Sequence, residues 1–283
     1  MPSPVDPSTL TSPIAIIAGA GQFPFFVARE AKRQGLRVVV LGIQGWVDPA
    51  LAAQVDVYEE LAVGQLRQLV ERLKAHNVRQ AIMAGKVTKE VLVGSRPSFD
   101  PDMLGLLSRV KDFSVATLLA AVAQRLAEQG IILLDSSTLL KGNLCPEGVL
   151  TSRGPTKVEE EDIRVGWRAA RAMATLDIGQ TVVVKERVVI AVEALEGTDA
   201  AIHRAHTLAG NGLVVVKVAA LQHDRRFDLP IVGTQTMATL QTEGVSCLAL
   251  EAQTTVLLER EALIAQANGA KICLIGMTAP AAA

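Results

Sequence analysis

Ile14-Ala15-Ile16-Ile17-Ala18-Gly19-Ala20-Gly21-Gln22-Phe23-Pro24 is the stretch that decides the fold. The apolar run Ile14–Ala18 reads as a buried strand, and Gly19-Ala20-Gly21 breaks it. A helix over about Pro24–Gln34 follows, with Pro24 in its first turn, where a missing N–H costs nothing. The same alternation continues outward. Arg37–Leu41 reads as a second strand, Val55–Tyr58 as a short third, Gln65–Ala75 as a helix and Gln80–Ala84 as a strand ending at Gly85-Lys86. Helical spacing over Ser114–Gln129 stops at Gly130, and Ile131–Leu134 reads as the next strand. Strands alternating with helices imply a Rossmann-like, doubly wound parallel sheet.

The second half has a different rhythm. A charged helix is expected over Lys157–Leu176, then a hairpin from Thr181–Lys185 and Val188–Glu193, a helix over Thr198–Leu208 and a strand over Leu213–Val218. A helix over Thr234–Glu243 and strands at Cys247–Leu250, Thr255–Leu258 and Lys271–Ile275 complete it, with a helix between the last two strands. Hairpins mixed with crossovers point to a second α/β domain with a mixed sheet. Leu139–Pro155 holds two prolines, three glycines and little periodicity, which suggests a linker. The expected layout is a loose tail over 1–12, a Rossmann-like domain over 13–140, a linker over 141–155, an α/β domain over 156–277 and a tail over 278–283.

Composition narrows the function classes. Apolar residues make up 49% of the 283 and aromatics only 3%, so the cores must be aliphatic, as in parallel sheets flanked by helices. The formal charge of −1, with no basic block, disfavours nucleic acid as a partner. The three cysteines are scattered and form no CxxC pair, which fits a reducing cytoplasm. The first dozen residues contain no Lys or Arg and no apolar run, unlike a signal peptide. No apolar stretch approaches the roughly 20 residues of a spanning helix.

Four places carry candidate chemistry. Gly19-Ala20-Gly21 lies between a strand and a helix, where backbone N–H groups favour a phosphate or a close backbone approach. A nicotinamide dinucleotide is the obvious ligand. However, Pro24 stands where G-x-G-x-x-G has its third glycine, and Gly42-Ile43 where an acidic ribose-binding residue belongs. A tight turn of any Rossmann-like unit explains the glycines too. Gly85-Lys86 ends another strand, so Lys86 is positioned to hold a phosphate as a point charge, or simply to be a solvated lysine. Glu193, Glu196 and Asp199 crowd a strand-to-helix junction beside Thr198, a plausible N-cap, and hard divalent cations want such oxygen ligands. Asp199, His203 and His206 share a helical face, though a zinc site there lacks further ligands. Finally, Lys217 precedes Asp224-Arg225-Arg226-Phe227-Asp228-Leu229-Pro230, a mixture of carboxylates and guanidiniums that suits a metal-bound diphosphate, or a surface loop of mutually paired charges. P-loop, G-x-S-x-G and H-E-x-x-H motifs are absent.

Taken together these motifs resemble the LpxI family of UDP-2,3-diacylglucosamine diphosphatases, over nearly the whole chain from Ile14 to Gly276. The likeness rests on Ile17–Pro24, Gly64-Gln65, Ala84–Val87, Leu150-Thr151 with Pro155, Asp162-Ile163, Asp177–Gln180, Ala191–Ala194, Glu196–Asp199 and Arg226–Pro230 with Gly233 and Thr236. Weaker support comes from Lys111-Asp112 and Gly130–Asp135. The resemblance implies cleavage of the diphosphate to UMP and 2,3-diacylglucosamine 1-phosphate (lipid X) in lipid A biosynthesis. It also implies Mg²⁺ or Mn²⁺, a homodimer, a cytoplasmic location and peripheral membrane contact. It makes Asp228, which matches the essential aspartate of R-x-D-x-P, the residue that binds the metal or positions water, with Asp199 as a second ligand. Arg226, Lys217 and Lys86 would balance phosphate charge, and Gly19–Gly21, Gly85, Thr198 and Asp199 would line the substrate. Family members commonly carry K-P-x-Q-D where this chain has Ala220-Leu221-Gln222-His223-Asp224. The competing readings are a non-catalytic binder of UDP-sugar lipids and a nicotinamide-dependent oxidoreductase.

Overall fold

The computed structural model describes residues 9–87, 99–110, 115–176, 178–219, 224–227 and 229–278. They form two compact α/β units, the first from Met1–Leu140 with the excursion Asp224–Asp228, the second from Lys141–His223 and Leu229–Ala283.

In the first unit, β1 (Ile14–Ala18), β2 (Val38–Ile43), β3 (Val57–Leu61), β4 (Gln80–Ala84) and β5 (Ile132–Leu133) make a sheet in the order β3-β2-β1-β4-β5. Every pairing is parallel. The sheet is doubly wound and parallel, as expected of the first half; its strand order comes from the structure. β1 is wholly buried, as its unbroken apolar run requires. Helices α1 (Phe23–Arg33), α2 (Leu66–Ala75), α3 (Pro101–Leu107) and α4 (Val115–Glu128) accompany the strands. Period-two alternation puts Ala15, Ile17, Val39, Leu41 and Ala81 on one face, packed with Leu66, Val70 and Leu73 of α2 and Ala123 and Leu126 of α4. The expected start of α4 at Ser114 lies outside the described residues.

Two local differences from the sequence reading have clear causes. The third strand starts at Val57, because Asp56 is spent on accepting from the Val38 N–H (2.7 Å) and pairing with Lys32 (2.7 Å). Helix α3 was not expected, yet its signal is present: Asp100 accepts from the Met103 N–H (2.8 Å) as N-cap, and Pro101 opens the helix.

The second unit is built on a mixed sheet in the order β6-β13-β11-β9-β7-β8. Its strands are β6 (Gly148–Val149), β7 (Thr181–Lys185), β8 (Val188–Val192), β9 (Leu213–Lys217), β11 (Val245–Glu251) and β13 (Cys273–Met277). β9, β11 and β13 are parallel, whereas β7, β8 and β6 join antiparallel. A small parallel pair, β10 (Ile231–Val232) and β12 (Val256–Leu257), lies apart. Helix α5 (Lys157–Thr175) covers one face, setting Ile163, Trp167 and Ala170 on Val182, Val184, Val214 and Val216. The approach is close, since a Cβ on Gly166 would stand 2.6 Å from Val216 Cγ2. Helices α6 (Thr198–Ala209), α7 (Thr234–Thr242) and α8 (Arg260–Gly269) cover the other face through Ile202, Met237, Leu240 and Leu263.

Within the stretch expected to be a linker, Gly148–Val149 pairs with β13, Cys145 is fully buried, and Arg153 makes a bidentate pair with Glu159 (2.9 and 2.9 Å). Thr156 and Glu159 form a capping box that starts α5. The hairpin between β7 and β8 turns through Glu186 and Arg187, both at positive φ, with the buried Asp162 carboxylate accepting from both N–H groups (3.1 and 2.5 Å). Among the described residues no helix is long and apolar enough to cross a membrane.

Candidate active site

Polar groups of the first unit gather at the carboxyl edge of its parallel sheet. Register aligns Ala18 with Ala84, so the turns after β1 and β4 emerge side by side. The Ala20 N–H donates to Lys86 O (2.8 Å) and the Lys86 N–H to Ala20 O (2.9 Å). Gly19 and Gly85 allow this closeness. A Cβ on Gly19 would stand 2.6 Å from Lys86 O, and one on Gly85, at φ +95, 2.7 Å from Ala20 O. Gly19–Gly21 and Gly85-Lys86 are therefore brought together. The N–H groups of Ala20 and Lys86 are spent on each other rather than held open for a pyrophosphate. Gly21, Gly85 and Lys86 are exposed, and no ion pair among the described residues involves Lys86.

The excursion around Arg226 reaches the same edge. The Ser136 N–H, just beyond β5, donates to Arg225 O (3.0 Å), and Ser136 Oγ lies 2.9 Å from both Met83 O and Arg226 O. Arg225 Nε pairs with Asp135 Oδ2 (2.8 Å), while Asp135 Oδ1 accepts from the Ser137 N–H and hydroxyl (2.7 and 2.6 Å). Phe227 packs against the core of this unit. Arg226 Nε donates to both oxygens of Asp224 (2.8 and 2.9 Å), and its guanidinium stacks on Phe227 at 5.0 Å. This bond from Arg226 holds the Asp224 carboxyl below its ordinary range. Asp228 lies outside the described residues.

The second unit has its own polar cluster, where the start of β7 and the end of β9 share an edge and Thr181 faces Lys217 in register. Lys217 is buried, and its Nζ donates to Thr198 Oγ1 (2.9 Å) and Thr181 Oγ1 (3.3 Å). Thr198 Oγ1 in turn donates to Glu193 Oε1 (2.7 Å), and Glu193 Oε2 is buried with no partner among the described residues. Thr198 is not the N-cap of α6. Gly197 is, at φ +85, which leaves the threonine hydroxyl free to join Lys217 to Glu193. Asp199 is exposed in the first turn of α6. At the same edge Glu251 accepts from the Ala219 N–H (2.7 Å) and pairs with Arg171, which donates to Ala219 O (2.8 Å).

The zinc reading fails on partners. His203 Nδ1 sits 2.9 Å from Glu243 Oε1 and His206 Nδ1 3.0 Å from Glu243 O. Among the described residues no three of His, Cys, Asp and Glu converge, so these residues do not build a metal cage by themselves. Asp135, Ser136, Arg171 and Glu251 had been given no role by sequence reasoning.

A Rossmann-like parallel unit with glycine turns zipped at its carboxyl edge, joined to a mixed-sheet unit with its own polar edge, defines a two-unit α/β protein. Family models for the LpxI N-terminal domain and the LpxI C-terminal domain match residues 13–143 and 146–275. The chain belongs to the LpxI family. It is 29% identical to UDP-2,3-diacylglucosamine pyrophosphatase LpxI of Caulobacter vibrioides, over 93% of this chain and 97% of that protein. Solved structures give weaker likenesses. CobK precorrin-6A reductase is 12% identical with a TM-score of 0.27, covering 96% of this chain and 90% of that one. The biotin carboxylase subunit of pyruvate carboxylase is 13% identical with a TM-score of 0.27, covering 65% and 36%.

Proposed function

We propose that this chain hydrolyses the diphosphate of UDP-2,3-diacylglucosamine to UMP and 2,3-diacylglucosamine 1-phosphate, a step of lipid A biosynthesis. The observation that carries the reading is the end-to-end match to the Caulobacter pyrophosphatase, which leaves almost no part of either chain unaligned. The geometry of the first unit agrees with it. Two glycine turns, Lys86 and the Arg226 segment meet at one strand-end edge, where α/β sheets bind anionic ligands.

In this reading Lys86 and Arg226 take phosphate charge, Lys217 and Thr198 hold a polar part of the substrate, and Asp228 positions the attacking water. A Mg²⁺ or Mn²⁺ ion arriving on the diphosphate asks the protein for only one or two carboxylates, for which Asp228 and Asp199 are the candidates. When bound, such an ion would polarise the phosphoryl oxygens. The reading also keeps a cytoplasmic homodimer that touches the membrane to receive its acylated substrate. Flotation with anionic liposomes tests that contact, and no association would remove it.

The decisive assay is UMP release from UDP-2,3-diacylglucosamine, with Mg²⁺ or with chelator, for the native protein and Asp228→Ala. A metal-dependent activity that falls by about a hundredfold, or 2.7 kcal/mol of barrier, is expected in the variant. Folded native protein that releases no UMP would sink the reading and favour a carrier of UDP-sugar lipids. NADH binding at micromolar concentration would favour the oxidoreductase instead.

A further inference from the structure

We propose that Ser136 and Asp135 are positioning residues that seat the Arg225–Phe227 segment at the carboxyl ends of β4 and β5. Through that segment they act on Arg226. The inference rests on the reading of Arg226 as functional.

Ser136 is 2% exposed and is bonded on three sides. Its N–H holds Arg225 O, and its hydroxyl lies at 2.9 Å from one carbonyl on β4, Met83, and one in the segment, Arg226. A hydroxyl confined between two carbonyl oxygens has its proton engaged, so it is no nucleophile. Its role is to join strand and segment. Asp135 acts on the next group outward. Ser137 fixes one carboxylate oxygen by two bonds, which aims the other at Arg225 Nε. Arg225 also donates to Ser137 Oγ (2.9 Å), so its guanidinium is held at two points. The segment has one apolar anchor among its described residues, the partly buried Phe227. Polar bonds must therefore decide where its backbone lies, and a misplacement of about 1 Å at a reacting group can reduce turnover a hundredfold.

The test combines amide hydrogen exchange with steady-state UMP release, on the full chain, for Ser136→Ala, Ser136→Thr, Asp135→Asn and Arg225→Gln. Exchange in the peptide covering 224–227 should quicken about tenfold or more in Ser136→Ala, while the β1 and β4 peptides keep native rates. The kcat should fall about tenfold or more with KM within about twofold, and Ser136→Thr should recover most of it, which a generally weakened fold would not do. Arg225→Gln removes the segment's other tether, to Asp135 and Ser137, from a half-exposed position and should quicken the same peptide, which covers the case of Ser136→Ala failing to fold. Unchanged exchange at 224–227 in Ser136→Ala and Arg225→Gln, or exchange that quickens with no loss of kcat, overturns the proposal. If the native protein releases no UMP, the proposed activity falls, and the exchange data alone decide whether these residues seat the segment.

Discussion

Ala20 and Lys86 exchange both of their main-chain hydrogen bonds, at 2.8 and 2.9 Å, across two turns that lie 66 residues apart in the chain. The pairing locks the end of β1 to the end of β4 and sets where Lys86 leaves the sheet. It depends on the missing side chains of Gly19 and Gly85, because each would otherwise carry a Cβ inside 2.8 Å of the opposite backbone. Backbone cannot yield as a flexible side chain can. Gly85→Ala meets a second penalty at φ +95. Each alanine substitution is expected to destabilise the first unit by about 1–3 kcal/mol. Urea unfolding followed by far-UV circular dichroism measures this. Gly21→Ala is the comparison, since its Cβ would meet nothing within 4 Å and only its φ of +95 counts against it. A loss at Gly19 no larger than that at Gly21 would mean the two turns can part cheaply.

Acid should weaken the second unit through Glu159. Burial pushes its carboxyl up, but the bidentate bond from Arg153 and the Thr156 N–H outweigh burial and bring the pKa down to about 2. The ordinary value is 4.5. A depressed carboxyl stabilises the fold above its unfolded pKa and loses that contribution as pH falls through its folded one. The window is therefore pH 4.5 down to about 2, and the contribution at neutral pH is about 3 kcal/mol. Glu159→Gln should cost about that much at pH 7 and almost nothing near pH 2, as judged by urea midpoints at both ends. Equal losses at both pH values would assign the residue a packing role with no electrostatic part.

The legibility of such features in the sequence depends on their range along the chain. Ile14–Ala18 and Gln80–Ala84 are buried parallel strands because their apolar runs are unbroken, and the glycines that end them mark a close approach. Those signals are local, so the parallel sheet was legible. The boundary between the units falls where the linker over 141–155 was expected to begin, but the strand within it has only two residues and so no period to detect, and the pairing of Arg153 with Glu159 is not visible in the sequence. The contact between Ser136 and Arg226 spans 90 residues and that between Arg171 and Glu251 spans 80, so neither left a pattern in the sequence. Thr198 had the right residue type for an N-cap, but Gly197 takes that position, and the hydroxyl serves Lys217 and Glu193 instead.

Asp224 sets how much of the charge on Arg226 a diphosphate can use. The two side chains are about one-third exposed and joined through both carboxylate oxygens, so at neutral pH Arg226 meets an incoming phosphate already paired. A partly exposed pair of this kind is worth up to about 1 kcal/mol. Asp224→Asn keeps an acceptor for the guanidinium and removes the competing charge. Stability should change little, and KM for UDP-2,3-diacylglucosamine should fall up to about fivefold, the equivalent of that 1 kcal/mol. Because the effect is electrostatic, it should shrink when the salt is raised from about 0.01 to 0.15 M, as the screening length drops from about 30 to 8 Å. A KM that rises, with kcat falling alongside, would show that Asp224 serves to aim Arg226, and that freeing its charge is less useful than holding its direction.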